Sequence, residues 1–445
     1  MIKIDEWTAN IIQHDSMRVY RARRDAQHTP VTAKYGILGF ISSGTYGRVY
    51  KAHSLEDPSE VFAIKKFKPD KEGDVATYTG ISQSAIREIA LNREINHQNV
   101  VALREVILED KSIYMVFEYA EHDFLQVIHH HFQTIRTPIP PPVLKSLIYQ
   151  LLNGLIYLHT AHILHRDLKP ANILITSQGV VKIGDLGLAR LCSSPLQPLV
   201  SGDKVVVTIW YRAPELLLGT KHYNKAIDCW AIGCVMAELA SLRPIFKGEE
   251  AKLDSKKNVP FQKDQMLKIL DILGTPNEKD WPGLVDMPEY HNLKRLDHYG
   301  FRLQSWCQSR QGLTGKDNAA YDLLRKLFMY DPDHRLTAEQ AIQHRWFHED
   351  PLPTWNAFQS GSIPPCRRVT QDDAPSMIPQ ATATQQHTLA SHVAGGAGGG
   401  HGGAGGPPFS KPGSSASFGT SMSGGYGGQQ GSGTGGHSRK KARLG

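Results

Sequence analysis

His165-Arg166-Asp167-Leu168-Lys169-Pro170-Ala171-Asn172 has the form H-R-D-L-x-x-x-N. Each polar residue of the stretch has a chemistry to offer. Asp167 can accept or orient the proton of an acceptor hydroxyl. Lys169 can steady a phosphoryl group, and Asn172 can hold a Mg2+ ion. Phosphoryl transfer asks for positioning and charge neutralisation more than for covalent chemistry, so few residues suffice.

Other patterned stretches surround this one in order. Upstream, Ile37 to Ile41 is a short apolar run, and Ile41-Ser42-Ser43-Gly44-Thr45-Tyr46-Gly47-Arg48-Val49 follows it. Gly44 and Gly47 leave room for close backbone approach. Phe62-Ala63-Ile64-Lys65 reads as a strand carrying a lysine among apolar neighbours. Ser82 to Leu91 reads as a helix with serines at its start and contains Glu88. Ser112 to Tyr119 (SIYMVFEY) is a β run that includes Phe117, Glu118 and Tyr119. Val143 to His159 has apolar residues at helical period and predicts a core helix. Downstream, Ile173-Leu174-Ile175 and Val180 to Ile183 flank Ser177-Gln178-Gly179, a hairpin pattern that delivers Asp185-Leu186-Gly187. Ala213-Pro214-Glu215, Asp228 and Arg335 complete the set.

Taken together, residues 35–347 resemble the eukaryotic protein kinases. The resemblance implies an α+β, bilobal fold: a small β-rich N-lobe over 35–119 and a large helical C-lobe over 120–349. It implies ATP and Mg2+ as cofactors. Residues 41–49 would form the Gly-rich loop over the phosphates, with Ser42 in place of the first glycine. Ala63, Phe117, Glu118 and Tyr119 would enclose the adenine, Lys65 would hold the α/β-phosphates, and Glu88 would pair with Lys65. Asp185 and Asn172 would hold the metal, with Leu186 in place of the usual Phe. Asp167, Lys169, Asn172, Lys65 and Thr208 would form the catalytic set, Thr208 bonding the catalytic Asp and Lys. Asp228 would brace the catalytic loop, and Arg335 would pair with Glu215.

Ser84 to Glu88 and Val206 to Glu215 are similar to the cyclin-dependent kinases; Ser82-Gln83-Ser84 and Val205 to Thr208 are similar within them to the Mediator-associated branch that pairs with cyclin C, and the Gly-rich tail and Asp185-Leu186-Gly187 resemble its fungal form. That implies a cyclin partner on the Glu88 helix, other kinase-module subunits, Pro-directed Ser/Thr substrates including RNA polymerase II C-terminal repeats, a Pro preference imposed through Arg212, and a nuclear location. MAP kinases carry T-x-Y in the activation segment, and 191–207 contains no Tyr. A pseudokinase docking subunit is the other alternative. Ser42 and Leu186 lean toward it, and the intact Lys65, Glu88, Asp167, Asn172 and Asp185 lean against it.

Composition sets the outer bounds. The chain has 445 residues, 40% of them apolar and 21% charged, with a formal charge of +7. The positive balance favours phosphate-bearing or acidic partners, though much of it reads as solvated surface. Five cysteines without C-x-x-C spacing read as reduced thiols, with neither a disulfide frame nor a zinc site. No apolar run approaches the ~20 residues of a membrane span. The His129-His130-His131 run lacks neighbouring ligands and reads as a solvated loop. Residues 1–34 are an N-terminal extension in which Ile4, Trp7 and Ile11 would line one helical face, a candidate partner-docking stripe. Residues 350–445 read as a disordered tail: 20 of the chain's 40 glycines fall within 391–445. The tail ends in Arg439-Lys440-Lys441-Ala442-Arg443, an import-signal-like cluster, and no sequence-specific nucleic-acid binding is expected.

One position makes a specific prediction. Where cyclin-dependent kinases carry an activating phosphothreonine, this chain has Asp203, while the three phosphate-gripping arginines are present as Arg87, Arg166 and Arg190. One carboxylate supplies less charge than a phosphate, about −1.5 to −2. The arginine cluster is therefore only partly compensated, and a partner, not phosphorylation at this position, is expected to supply the missing order. Phosphatase treatment of the purified kinase–cyclin complex should leave its activity intact, and activity gained only after phosphorylation of the activation segment would refute this.

Overall fold

The alternation of Val61–Phe67 decides how the small lobe is built. Phe62 and Ile64 point to one face and are buried, while Ala63 and Lys65 point to the other. In the computed structural model this strand is β3 of a five-stranded antiparallel sheet. The others are β1 (Tyr35–Ser43), β2 (Gly47–Ser54), β4 (Leu103–Glu109) and β5 (Ser112–Glu118), in the order β1-β2-β3-β5-β4. The structure describes residues 29–44, 47–67, 83–109, 112–192, 208–251, 260–310, 313, 319–359, 363–367 and 369–370. The polar stretch 68–81, the 1–28 stripe, Asp203 and the Gly-rich tail lie outside them.

Each face of the sheet has its own apolar cluster. Tyr35, Tyr50, Phe62, Ile64, Ile107, Tyr114 and Val116 fill one side. Phe67, Ile113, Met115 and Phe117 fill the other, under helix α1 (Gln83–Glu94). Ala85, Glu88 and Asn92 turn inward from α1, while Ile86 points outward and is 53% exposed. The segment after α1 is fastened to the large lobe. Asn96 N donates to Tyr157 Oη (2.9 Å), and the His97 and Tyr157 rings stack at 4.7 Å. Asn99 Nδ2 donates to Val181 O (2.8 Å).

The large lobe is helical. After the short strand β6 (His122–Asp123), α2 (Phe124–His129) starts with a capping box between Asp123 and Gln126. Helix α3 (Pro141–Thr160) is the core helix expected from its periodicity. The hairpin forms as β7 (Ile173–Ile175) and β8 (Val181–Ile183), paired antiparallel. Helix α4 (Ala226–Ser241) is buried from Ala226 through Ala240 on all sides, the mark of a helix at the centre of a domain. No described helix is long and apolar enough to cross a membrane.

Two boundaries and one loop read from the sequence need correction. Ordered packing begins before residue 35: Val31 is buried in the small-lobe core, and its N–H donates to Glu109 (2.9 Å). It also continues past 350, because Ala357 and Phe358 supply apolar surface that the large-lobe core takes up. The histidine run is not a solvated loop. His130–Ile135 forms a π-helical turn continuing α2, and buried His131 bonds Thr137 O through Nδ1 (3.1 Å).

One buried ion pair holds the base of the large lobe. Arg335 donates to both oxygens of Glu215, at 2.8 and 2.9 Å, and to Ala226 O at 2.9 Å, with both side chains almost fully buried. Removing one partner leaves the other charge buried and uncompensated, at a cost of about 3–5 kcal/mol. Arg335→Ala is therefore expected to lower unfolding stability by that amount in urea titration, and Arg335→Lys, which keeps the charge but not the bidentate fork, by less.

Candidate active site

Lys65 projects from the cleft face of β3, and two acids meet it. Its Nζ lies 2.9 and 2.7 Å from the two oxygens of Glu88 on α1, and 2.9 Å from Asp185 Oδ1. Burial pulls the lysine's pKa down, but Glu88 and Asp185 outweigh it and hold Lys65 well above the usual lysine range. Burial likewise pushes Asp185 up, and Lys65 outweighs it, so the carboxyl lies below its ordinary value. Asp185 has φ +59, a left-handed conformation that costs energy and directs its carboxylate toward the lysine. The next residue, Leu186, is buried in the large-lobe core.

The catalytic-loop residues lie on the same cleft. Lys169 Nζ donates to Asp167 Oδ2 (2.8 Å), and Asn172 Nδ2 donates to the same oxygen and to Asp167 O, both at 2.9 Å. Asp228 of α4 holds this loop from beneath. It accepts from the backbone N–H groups of His165 and Arg166, both at 2.9 Å, and from His159 Nε2 at 3.0 Å. Burial would push Asp228 up, but these donors override it and the carboxyl stays below the ordinary range. His165 Nε2 donates to Gly184 O (2.9 Å), tying the loop to the residue before Asp185.

The cleft has a volume of about 590 Å3. Ile41, Ser42, Ser43, Gly44, Gly47 and Val49 form its roof, with Ala63, Phe117 and Glu118 toward the back. Lys65, Glu88, Asp167, Lys169, Asn172 and Asp185 line it as well. Three residues chosen from the sequence do not. Arg48 falls between Gly47 and Val49, and strand alternation turns it to the other face. Tyr119 lies in the linker, its buried ring beneath Lys51 Nζ at 4.4 Å. Thr208 is exposed and lines a second groove with Asp167, Tyr211 and Arg212. It makes no hydrogen bond to Asp167 or Lys169 among the described residues; Lys169 and Asn172 both bond Asp167 Oδ2. Thr45 and Tyr46 lie outside the described residues. The sequence reading missed Asp123, Gln126 and Arg367, all of which line the cleft. The cap pattern D-x-x-Q marks the first two, but no local signal marks Arg367.

Such a cleft can take a nucleotide triphosphate: glycines above, a charged lysine behind, and two side chains with oxygen donors, Asp185 and Asn172, in front. Oxygen donors of this kind suit Mg2+, which keeps several waters and takes one or two protein ligands. Residues 35–347 match the model of the protein kinase domain. The chain belongs to the protein kinase family. It is similar to serine/threonine-protein kinases named Ssn3 from Aspergillus oryzae (58% identical over 364 residues, 77% of this chain and 87% of that one) and Emericella nidulans (58% over 364 residues, 77% and 85%). A Coccidioides immitis relative of the same name is 56% identical over 367 residues, 78% of each chain. This is thus a serine/threonine kinase of the fungal Ssn3 type, and protein kinases as a family use ATP and Mg2+.

The Asp228 bonds carry a pH prediction. Its native pKa is depressed, so the stability it contributes is present above the ordinary aspartate range and is lost as pH falls through the lower native value. Asp228→Asn should destabilise the fold by about 2–3 kcal/mol near neutrality. The gap between wild type and variant should narrow below about pH 4. Denaturant titrations from pH 7 to pH 3 measure both effects.

Proposed function

We propose that this kinase transfers the ATP γ-phosphate to Ser or Thr followed by Pro, as the cyclin-dependent kinase subunit of a Mediator kinase module. One observation supports the reading most directly: Lys65, Glu88, Asp185, Asp167, Lys169 and Asn172 converge on one cleft between a glycine-bearing roof and a braced loop. In this reading Asp167 orients the acceptor hydroxyl, and Lys169 screens the transferred phosphoryl group. Asp185 and Asn172 hold the metal, and Lys65 holds the α/β-phosphates. The backbone around Glu118 and Tyr119 binds the adenine. Bound Mg2+ supplies charge neutralisation between the phosphates. Thr208 and Arg212 belong to the acceptor side, in the groove beside Asp167.

The cyclin assignment draws on the resemblance of Ser84 to Glu88, and on exposed Ile86, which offers an apolar contact on the outer face of α1. RNA polymerase II C-terminal repeats and transcription factors are the proposed substrates, and the nucleus is the proposed location. A docking subunit without catalysis is the competing reading, and it makes the opposite prediction for one substitution. Asp185→Ala in the kinase–cyclin complex should reduce transfer to a Ser-Pro repeat peptide by at least about a hundredfold, the scale of removing one essential charge-stabilising group. Equal phosphate transfer by variant and wild type would defeat the proposal, as would a complex from nuclear extract that contains no cyclin.

A further inference from the structure

The chain beyond residue 350 touches both lobes. It docks first on the large lobe: Ala357 N donates to Gly179 O (3.0 Å), and Gln150 Nε2 donates to Thr354 O and Trp355 O, both at 3.1 Å. Phe358 is buried there, its ring edge-on to His122 at 5.6 Å. It next meets the linker between the lobes. His122 Nδ1 donates to Pro365 O (3.2 Å), Arg367 N donates to Glu121 O (2.9 Å), and the Arg367 guanidinium donates to Ala120 O. Its last described residue meets the small lobe, where Phe40 N donates to Thr370 O (2.8 Å) and Thr370 N to Phe40 O (2.9 Å), an antiparallel bridge to β1.

Both lobes leave room for this passage by the same means. A Cβ on Gly39, whose φ is +154, would lie 2.5 Å from Val369 Cγ1 and 2.8 Å from Thr370 O. A Cβ on Gly179, with φ +75, would collide with Asn356 Oδ1 and lie 2.7 Å from Ala357 N. Neither approach is tolerable, so a side chain at either position would push the segment away. One glycine in each lobe accommodates the same stretch of chain, which argues that the docking is part of the fold.

We propose that residues 363–367 and 369–370 position the nucleotide site: Arg367 and Thr370 fasten the linker and β1 together, and so set how closely the Gly-rich roof settles on MgATP. The inference rests on reading the cleft as the MgATP site. Phe40 is only two residues from Ser42, so the bridge to Thr370 fixes the root of the roof. The polar partner of Arg367 is the linker carbonyl of Ala120, although its side chain also lines the cleft. Arg367 is therefore a positioning residue: its loss should weaken nucleotide binding and leave the phosphoryl step alone.

The test uses the full chain with its cyclin for kinetics, and the full chain alone for MgADP binding by calorimetry. Arg367→Ala and Thr370→Pro, which removes the N–H that bonds Phe40, are expected to raise the KM for MgATP and the Kd for MgADP. The rise should be up to about tenfold, the scale of one charge-assisted hydrogen bond. Values of kcat and of KM for the acceptor peptide should stay within about twofold. Arg367→Lys, which can still reach Ala120 O, should recover some of the loss. A chain ending at Gln359, which lacks both fastenings, should lose at least as much affinity as either point variant, and one ending at Gln371 should match wild type. Unchanged nucleotide affinity in both point variants would overturn the proposal, leaving the segment a purely structural brace seen only as a lowered melting temperature. A wild-type chain that binds no nucleotide would instead overturn the reading of the cleft itself, before any variant is compared.

Discussion

A lysine ammonium kept nearly dry between two carboxylates is the interaction on which the rest depends. The Lys65 side chain is 13% exposed and that of Glu88 only 2%, so neither charge is well hydrated. An isolated buried ion is strongly disfavoured, and one whose partner departs is worse off than a hydrated one. The trio is therefore stable only while β3, α1 and the loop after β8 keep their places. Two of these belong to the small lobe and one to the large lobe. The same three charges that fit a triphosphate and its metal thus also hold the lobes in register.

Asp228 has a comparable role in the layer beneath. Helix α4 is buried on every side, which makes it a rigid floor, and its Asp228 carboxylate takes two backbone donors from the loop above and one from His159 of α3. Arg166 has φ +71, so the loop is not a relaxed turn, and the Asp228 bonds to its N–H and to that of His165 help fix this backbone. His165 extends the network to Gly184 O, and Gly184 N donates in turn to Asn172 O (2.9 Å). Asn172 and Asp185 are thereby linked through one short run of backbone.

Much of this was legible in the sequence, for a physical reason. Lys65, Asp167, Asn172 and Asp185 must be those residue types at those spacings for the chemistry to work, so their pattern stands out against the background. The strand alternation around Phe62 and Ile64 and the helical period of α3 were legible because burial imposes a period. What escaped depends on contacts remote in sequence. Arg367 meets Ala120 across 247 positions and sits in a stretch with no periodicity. Val31 joins the small-lobe core as one residue of a four-residue helical turn, too short for a pattern. His131 became a member of a buried π-helical turn because a backbone carbonyl at Thr137 was available to its ring, which no run of histidines announces. Thr208 was assigned a bond by resemblance alone, and in the structure it lines the groove beside Asp167 instead.

The anchorage of the residues after α1 has a mechanical consequence. Asn96, His97 and Asn99 are clamped to the large lobe, so α1 has a pivot near its C-terminal end and can swing but hardly slide. Glu88 lies six residues before Glu94, a lever arm of roughly 9 Å at 1.5 Å per residue. A tilt of about 20° would carry its carboxylate about 3 Å along the arc, more than the 2.7 Å span of its contact with Lys65 allows. Any body pressing on the outer face of that helix therefore commands the lysine by angle alone, with a modest rotation amplified into the making or breaking of a charge pair.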